Sequence, residues 1–211
     1  MKLVDCLDLG AAMVPAAPCL VTETATLSYA EAQGLSRSIA DSLVACSVGD
    51  GDTVGVLSAN DPLALTCIFG ASRAGAAWAL IDPTDATVDE LLQELSACSV
   101  LLFRAADIEL VRQVHPQLPL PHTLVCLDGS TEGALGWGEF LVAGLARAAV
   151  APVGPPRTAV ERPGEDRPVF LALGPLTEAT AGQWQLVLAQ GGRIVMRTSG
   201  TAVAAETRLE A

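Results

Sequence analysis

The sequence predicts an α/β fold in which a mostly parallel sheet is flanked by helices on both faces. Short apolar runs such as residues 53–57 (TVGVL) and 100–103 (VLLF) do not alternate with polar residues, which is typical of strands buried on both faces. Amphipathic segments with clear helix-start signals separate these runs. Strands and helices that alternate along a chain favour a parallel sheet with helices on its faces.

The first predicted helix begins at Ser28, after short apolar runs at residues 19–21 and 26–27. Ser28 and Glu31 have the spacing of a capping box, in which each side chain accepts a hydrogen bond from the other residue's amide. Apolar side chains then recur at helical spacing, at Ala32, Leu35, Ile39 and Leu43. The turn at residues 49–52 (GDGD) ends this helix.

The second predicted helix begins at Asp61 and Pro62, after the buried strand at residues 53–57. Asp is a favoured cap of the first turn, and Pro fits the first helical position because its missing amide hydrogen has no partner there. The helix continues to about Arg73, and Gly75 suits its exit.

The later elements repeat this alternation. Thr87 and Glu90 form a second capping box, which opens a helix that carries apolar side chains as far as Leu95. The other predicted strands are residues 78–81, 100–103, 123–127, 169–173 and 193–196, and the other predicted helices are residues 107–114, 138–148 and 177–189.

Proline content divides the chain into regions. Residues 151–168 contain five prolines and mixed charges, which predicts a linker or a long surface loop. Residues 1–150 before it form the α/β scaffold. Residues 169–198 add a strand–helix–strand unit that completes or extends the sheet, and residues 199–211 form a tail.

The charge balance excludes two classes of partner. The 211 residues include 24 acidic and 12 basic side chains, for a net charge of −12 at pH 7. A nucleic-acid binder needs clustered cations, and an anionic membrane surface repels a chain of this charge, so we expect neither partner. We expect a cytoplasmic protein, because residues 1–8 lack the apolar segment of a secretory signal and no apolar run approaches the roughly 18 residues of a membrane span.

The spacing of the cysteines and histidines does not indicate a metal site. The cysteines lie mostly in apolar runs without Cys-x-x-Cys spacing, which favours buried reduced thiols over a disulfide set or a metal centre. They are Cys6, Cys19, Cys46, Cys67, Cys98 and Cys126. His115 and His122 border a proline-rich turn, and we expect both at the surface.

Three glycine-containing segments are candidates for phosphate binding. Residues 49–51 precede a strand, whereas a dinucleotide fingerprint lies between a strand and a helix. Residues 70–75 fall on a helix and lack the lysine and serine of a Walker loop. Residues 198–201 (TSGT) follow a strand and could cradle phosphate with their amides, or form a terminal turn. No hydroxyl or thiol has a histidine partner in its sequence context, so no catalytic, cofactor-binding or metal residue is assigned, and no cofactor.

Three segments, in order, resemble signatures of the adenylate-forming enzymes: acyl-CoA synthetases, luciferases and the adenylation domains of nonribosomal peptide synthetases. Residues 27–32 (LSYAEA) are similar to Leu-Thr-Tyr-x-Glu-Leu, and residues 48–56 (VGDGDTVGV) to Gly-Val-x-x-Gly-Asp-x-Val-Ala-Val. Residues 73–83 (RAGAAWALIDP) are similar to Lys-Ala-Gly-Ala-Ala-Tyr-Val-Pro-Leu-Asp-Pro. The resemblance covers residues 18–103 well, continues more weakly to residue 143, and implies a truncated N-terminal subdomain of that family.

The chain departs from the family pattern where the resemblance implies a phosphate loop of the type Thr-Ser-Gly-Thr-Thr-Gly-x-Pro-Lys-Gly. Residues 166–176 (DRPVFLALGPL) lead directly into what resembles the family's next segment, and Glu178 stands where that segment has histidine. The adenine-binding region and the C-terminal lid with its lysine have no counterpart, and Lys2 is the only lysine of the chain.

Two classes of function follow from the resemblance. The first is a degenerate, non-catalytic member that acts as a scaffold or interaction partner in an acyl or peptide synthetase pathway, as a homo-oligomer or with another biosynthetic protein. The alternative is half of a split acyl- or aryl-activating ligase, or an acyl-ligand-binding protein. A generic nucleotide-binding α/β domain is a third, unrelated interpretation.

Overall fold

The computed structural model describes residues 2–59, 61–84, 86–119, 123–148, 169–172 and 178–196. The α-helices in these ranges are α1 (Leu3–Met13), α2 (Tyr29–Ala45), α3 (Pro62–Ala74), α4 (Val88–Leu95), α5 (Ile108–Val114), α6 (Trp137–Ala148) and α7 (Glu178–Ala189). The strands are β1 (Pro18–Val21), β2 (Thr26–Ser28), β3 (Thr53–Leu57), β4 (Ala77–Ile81), β5 (Cys98–Phe103), β6 (Thr123–Cys126), β7 (Leu135–Gly136), β8 (Val169–Ala172) and β9 (Arg193–Met196). Two 3-10 turns, Ala105–Asp107 and His115–Gln117, flank α5.

The predicted helix starts are confirmed. Ser28 and Glu31 close the capping box of α2, with the Ser28 amide donating to the Glu31 carboxylate at 2.8 Å. Thr87 and Glu90 do the same for α4, with the Thr87 amide 2.9 Å from Glu90. Asp61 caps α3 by accepting two amide hydrogen bonds in its first turn.

The sequence did not predict α1. This helix carries Asp5, Asp8 and Gly10, which weaken a helical pattern read locally. Tertiary packing stabilises it, because Cys6 and Leu7 are completely buried in the main core.

Five strands form an all-parallel sheet in the order β4-β3-β5-β6-β7. Side chains of β5 alternate between two cores: Val100 and Leu102 pack with α2 and α3, whereas Leu101 and Phe103 pack with α4 and α5. Burial on both faces explains the continuous apolar runs from which the sheet was predicted.

A second sheet has the order β2-β1-β9-β8. Its β1–β2 pair is antiparallel, and β9 pairs in parallel with both β1 and β8. Strands β8 and β9 therefore join the sheet that β1 begins and not the five-stranded sheet. Helix α7 lies in the main core, where Trp184 is completely buried and packs edge-on against Phe69 of α3 with ring centroids 6.1 Å apart.

The cysteines are free, and all but the half-buried Cys46 are buried. Burial raises the pKa of the Cys6, Cys19, Cys46 and Cys67 thiols and, as the main cause, that of Cys98, to about 11. His115 is half-buried, and His122 lies outside the described residues. Within the ranges given above, no helix has both the length and the apolar character that crossing a bilayer requires.

Candidate functional site

A cavity of about 650 Å³ opens where the strands of the five-stranded sheet end. We call it the carboxyl-edge cavity, and its lining includes Leu27, Leu35, Ser58, Asp61, Arg104 and Asp107. Ser58 directly follows β3, and Arg104 directly follows β5. These two strands are neighbours in the sheet but not consecutive in the chain, because β4 follows β3 on its other side. Such a reversal of strand order leaves a crevice that holds ligands in open α/β sheets.

Arg104 is held between two carboxylates at this edge. Its guanidinium lies 2.9 Å from Asp61 and 3.2 Å from Asp128, which follows β6. Burial disfavours the charged guanidinium, but the hydrogen bonds and charges of both aspartates outweigh it and raise the pKa of Arg104. The arginine is therefore occupied by the protein's own carboxylates.

Asp61 is fully engaged as well. It accepts from the Ser58 hydroxyl at 2.7 Å, and its other oxygen accepts from the amides of Leu63 and Ala64 at 2.7 and 3.1 Å. With Arg104 as a fourth partner, this carboxylate has a structural role at the start of α3.

Asp107 differs from the other charged groups of the cavity lining. Among the residues that the structure describes, no side chain or amide donates a hydrogen bond to its carboxylate. Desolvation, together with the negative charges of Asp128 and Asp82, outweighs the attraction of Arg104 and raises the pKa of Asp107. Within the described part of the chain, Asp107 is thus a partly buried acceptor without a donor.

Asp61 and Asp128 bind Arg104 at this edge, and the charges of Arg104, Asp82 and Asp128 all act on Asp107. We call Asp61, Asp82, Asp107 and Asp128 the aspartate cluster. The described residues contain no group of three or more His, Cys, Asp or Glu side chains placed to hold a metal ion. The cluster is therefore an electrostatic feature of the cavity, with carboxylates in excess over guanidinium.

The phosphate-binding candidates lie elsewhere. Residues 49–51 form a turn before β3, closed by the Gly49 amide on Asp52 at 2.9 Å, and residues 70–75 belong to α3 and its exit. Residues 198–201 lie outside the described residues. Glu178 is the first residue of α7, and Lys2 is an exposed residue before α1.

Sequence reasoning assigned no residue to the carboxyl-edge cavity. A usable signal was present, because Asp61, Arg104, Asp107 and Asp128 all follow predicted strands within a few residues. The carboxyl ends of parallel strands meet at one edge, so polar residues in these positions converge. The order of the strands, which brings β3 next to β5, could not be inferred from spacing.

A family model described as "AMP-binding enzyme" matches residues 7–171. Similar proteins include the AMB antimetabolite synthetase AmbE of Pseudomonas aeruginosa, which is 30% identical over 143 residues. That alignment covers 67% of this chain and 6% of AmbE. The 4-coumarate–CoA ligase 3 of Oryza sativa subsp. japonica is 32% identical over 135 residues, which cover 63% of this chain and 24% of the ligase. The chain thus spans less than a quarter of the length of either relative.

Solved structures share the fold. Coronafacic acid ligase from Pectobacterium brasiliense superposes with a TM-score of 0.75 at 11% identity, over 94% of this chain and 46% of the ligase. The N-terminal domain of FACL13 from Mycobacterium tuberculosis gives a TM-score of 0.68 at 17% identity, over 96% of this chain and 58% of that domain. The family model, which spans most of the chain, and the shared fold confirm the predicted resemblance. The chain belongs to the AMP-binding, adenylate-forming enzyme family.

Proposed function

We propose that this chain does not form acyl adenylates by itself and acts as a scaffold or interaction partner in a biosynthetic pathway of acyl or peptide synthetases. One observation carries the first part of the proposal. The carboxyl-edge cavity has an excess of carboxylates, and Arg104, the cation in its lining, is bound by Asp61 and Asp128. A triphosphate placed there would meet negative charge.

The chemistry of adenylate formation gives this observation its weight. An enzyme that activates a carboxylate with ATP must hold the triphosphate and stabilise the charge that develops on the transferred phosphorus. The residues between the proline-rich segment and β9 contain neither the family's phosphate loop nor a lysine. The negative charge of the aspartate cluster does not fit a nucleoside triphosphate.

The names of two relatives support the pathway class. AmbE is described as an antimetabolite synthetase, and a protein of Salinispora arenicola that is 29% identical over 188 residues is described as a probable non-canonical nonribosomal peptide synthetase, CymA. That alignment covers 86% of this chain and 2% of CymA. A peptide or acyl synthetase pathway is therefore the setting that we propose for this chain.

Pyrophosphate exchange with ATP tests the absence of adenylation. The purified chain is assayed with a panel of aliphatic, aryl and amino-acid carboxylates, beside an active family member as positive control. We expect no exchange above the buffer blank. Exchange by the chain alone would overturn the proposal. Exchange that occurs only when a second chain supplies a phosphate loop and lid would instead support the alternative, in which this chain is half of a split ligase.

An apolar face on α6 supports the interaction role. Val142 and Leu145 lie one turn apart and are 62% and 61% exposed. We propose a second copy of the chain as the partner of this face, because a two-fold dimer joins one patch to itself. Light scattering should give the mass of a dimer for the unmodified chain and the mass of a monomer for the double variant Val142→Asp, Leu145→Asp. Gln113→Asp, at an exposed position of α5, is the control and should leave the mass unchanged. A monomeric unmodified chain would contradict this part of the proposal.

A further inference from the structure

The carboxyl-edge cavity has the size and position of a small-molecule site. Its volume of about 650 Å³ lies within the usual range of ligand pockets, roughly 300–1,000 Å³. It occupies the crevice between the ends of β3 and β5, where the strand order of the sheet reverses. Ligands in open α/β sheets bind in such crevices.

The walls of this cavity are suited to an apolar body. Leu27, Leu35, Pro62, Leu63 and Pro83 contribute to the lining, and three of its four uncharged polar side chains belong to threonines. Leu27, Leu35 and Leu63 also pack against the main core, which holds this wall in place. A ligand would bury hydrocarbon here, at about 25 cal/mol for each Å² removed from water.

The charged groups of the lining set the polarity of the ligand. Asp61 already has four partners, and Arg104 donates to Asp61 and Asp128, whose two negative charges outweigh its single positive charge. Of the ionisable groups in the lining, Asp107 is the one to which no described residue donates a hydrogen bond. An incoming carboxylate or phosphate would be repelled by Asp107 and by the neighbouring Asp128, whereas a positively charged donor would be attracted by both and could donate to Asp107.

We propose that the carboxyl-edge cavity binds a small molecule with an apolar body and a protonated amine, and that Asp107 receives the amine. The ammonium would donate to the Asp107 carboxylate and lie in the negative potential of Asp82 and Asp128. This inference does not depend on the proposed lack of adenylation, because it concerns a different ligand and a different measurement.

Three matched probes test the proposal. 2-Phenylethylamine is protonated at pH 7, 2-phenylethanol is neutral, and 3-phenylpropanoate is anionic, and all three carry the same ring on a short chain. Binding is measured by saturation-transfer NMR titration of the full chain. We expect the amine to bind at least about tenfold more tightly than the alcohol, a difference of about 1.4 kcal/mol, and the carboxylate to bind more weakly than either.

Two variants locate the binding site. Asp107→Asn keeps the size of the side chain and removes its charge, so the preference for amine over alcohol should fall at least about fivefold. Asp89→Asn, on the exposed first turn of α4 and outside the cavity lining, should leave that preference unchanged. Circular dichroism confirms that both variants are folded. The proposal is overturned by equal binding of the three probes, by an amine preference that survives Asp107→Asn, or by no binding of any probe up to about 10 mM.

Discussion

The hydroxyl of Tyr29, at the start of α2, lies 3.0 Å from the carbonyl oxygen of Leu188, which is 159 residues further along the chain. The carbonyl oxygen of Gly192 lies 2.5 Å from the same hydroxyl. Tyr29 is completely buried, and Gly10 of α1 leaves no room for a side chain beside its ring. This contact joins the amino-terminal scaffold to the α7–β9 segment inside one core.

Tyr29→Phe should therefore destabilise the whole fold and not only one helix. The ring stays, but the exit of α7 loses a buried hydrogen bond, at a cost of about 1–2 kcal/mol in the free energy of unfolding. Urea denaturation followed by far-UV circular dichroism measures this cost. Ser38→Ala, which removes a weak exposed hydrogen bond to Gly34 at 3.4 Å, is the control and should change little. A midpoint for Tyr29→Phe equal to that of the unmodified chain would show that the contact does not stabilise the core.

The Tyr29 contact also marks the limit of sequence reasoning on this protein. The capping signals at Ser28, Asp61 and Thr87 predicted where helices begin, because a cap is satisfied within a few residues. The buried strands were predicted from continuous apolar runs for the same local reason. The strand order and the pairing of β9 with β1 depend on contacts between distant segments, which no local pattern contains. For that reason the second sheet and the meeting of Asp61 with Arg104 at the cavity appear only in three dimensions.

Close packing of α6 on α2 gives a second prediction. A Cβ added at Gly144 would lie 2.6 Å from the backbone nitrogen of Ser42 and 3.0 Å from the carbonyl oxygen of Ser38. Backbone atoms of a helix cannot move aside cheaply, so Gly144→Ala should lower the free energy of unfolding by about 1–3 kcal/mol.

Gly138→Ala is the matched control on the same helix. An added Cβ meets nothing within 4 Å there, and alanine favours helix by up to about 1 kcal/mol over glycine. The two variants should therefore shift the thermal midpoint in opposite directions. Equal shifts for both would contradict the close contact at Gly144.

A bidentate ion pair between Arg73 and Asp8 predicts how stability depends on pH. The guanidinium contacts the two oxygens of Asp8 at 2.6 and 3.1 Å. Burial raises the pKa of Asp8, but the hydrogen bonds from Arg73 and Gln33 outweigh burial and lower it overall. Because the folded pKa lies below the unfolded one, the contribution of the pair is present above the unfolded value of about 3.9 and is lost as the pH falls through the folded value.

Asp8→Asn should therefore cost about 0.5–1 kcal/mol at neutral pH, the range expected for a partly exposed pair. The difference from the unmodified chain should shrink as the pH falls below about 4. Denaturation midpoints measured across this range test both statements. Glu109→Gln, which breaks the exposed pair with Arg112 on α5, is the control and should show no measurable difference at either end of the range. A cost for Asp8→Asn that does not vary with pH would contradict the ion pair as its source.

Asp107 and Asp128 lie in one cluster, yet their replacement should have opposite effects on stability. Asp128 accepts from the Ala105 amide at 2.7 Å and pairs with Arg104, and these bonds lower its pKa although burial opposes them. Asp128→Asn should thus cost about 0.5–1 kcal/mol at neutral pH. The pKa of Asp107 is raised instead, by desolvation and by the charges of Asp128 and Asp82. In the ligand-free chain its ionised form disfavours folding, and Asp107→Asn should stabilise the fold by about 0.5 kcal/mol.

The pH dependence distinguishes this electrostatic cause from a change in packing. Since the folded pKa of Asp107 exceeds the unfolded one, the unmodified chain gains stability relative to Asp107→Asn as the pH falls and Asp107 takes up its proton. The advantage of the variant should therefore be present at pH 7 and disappear by about pH 3 in thermal melts. A cost of this kind to the free protein is typical of residues that serve a site at the expense of stability, which supports the proposed role of Asp107. If Asp107→Asn is instead less stable than the unmodified chain at pH 7, the Asp107 carboxylate stabilises the fold, and this support for the amine site is lost.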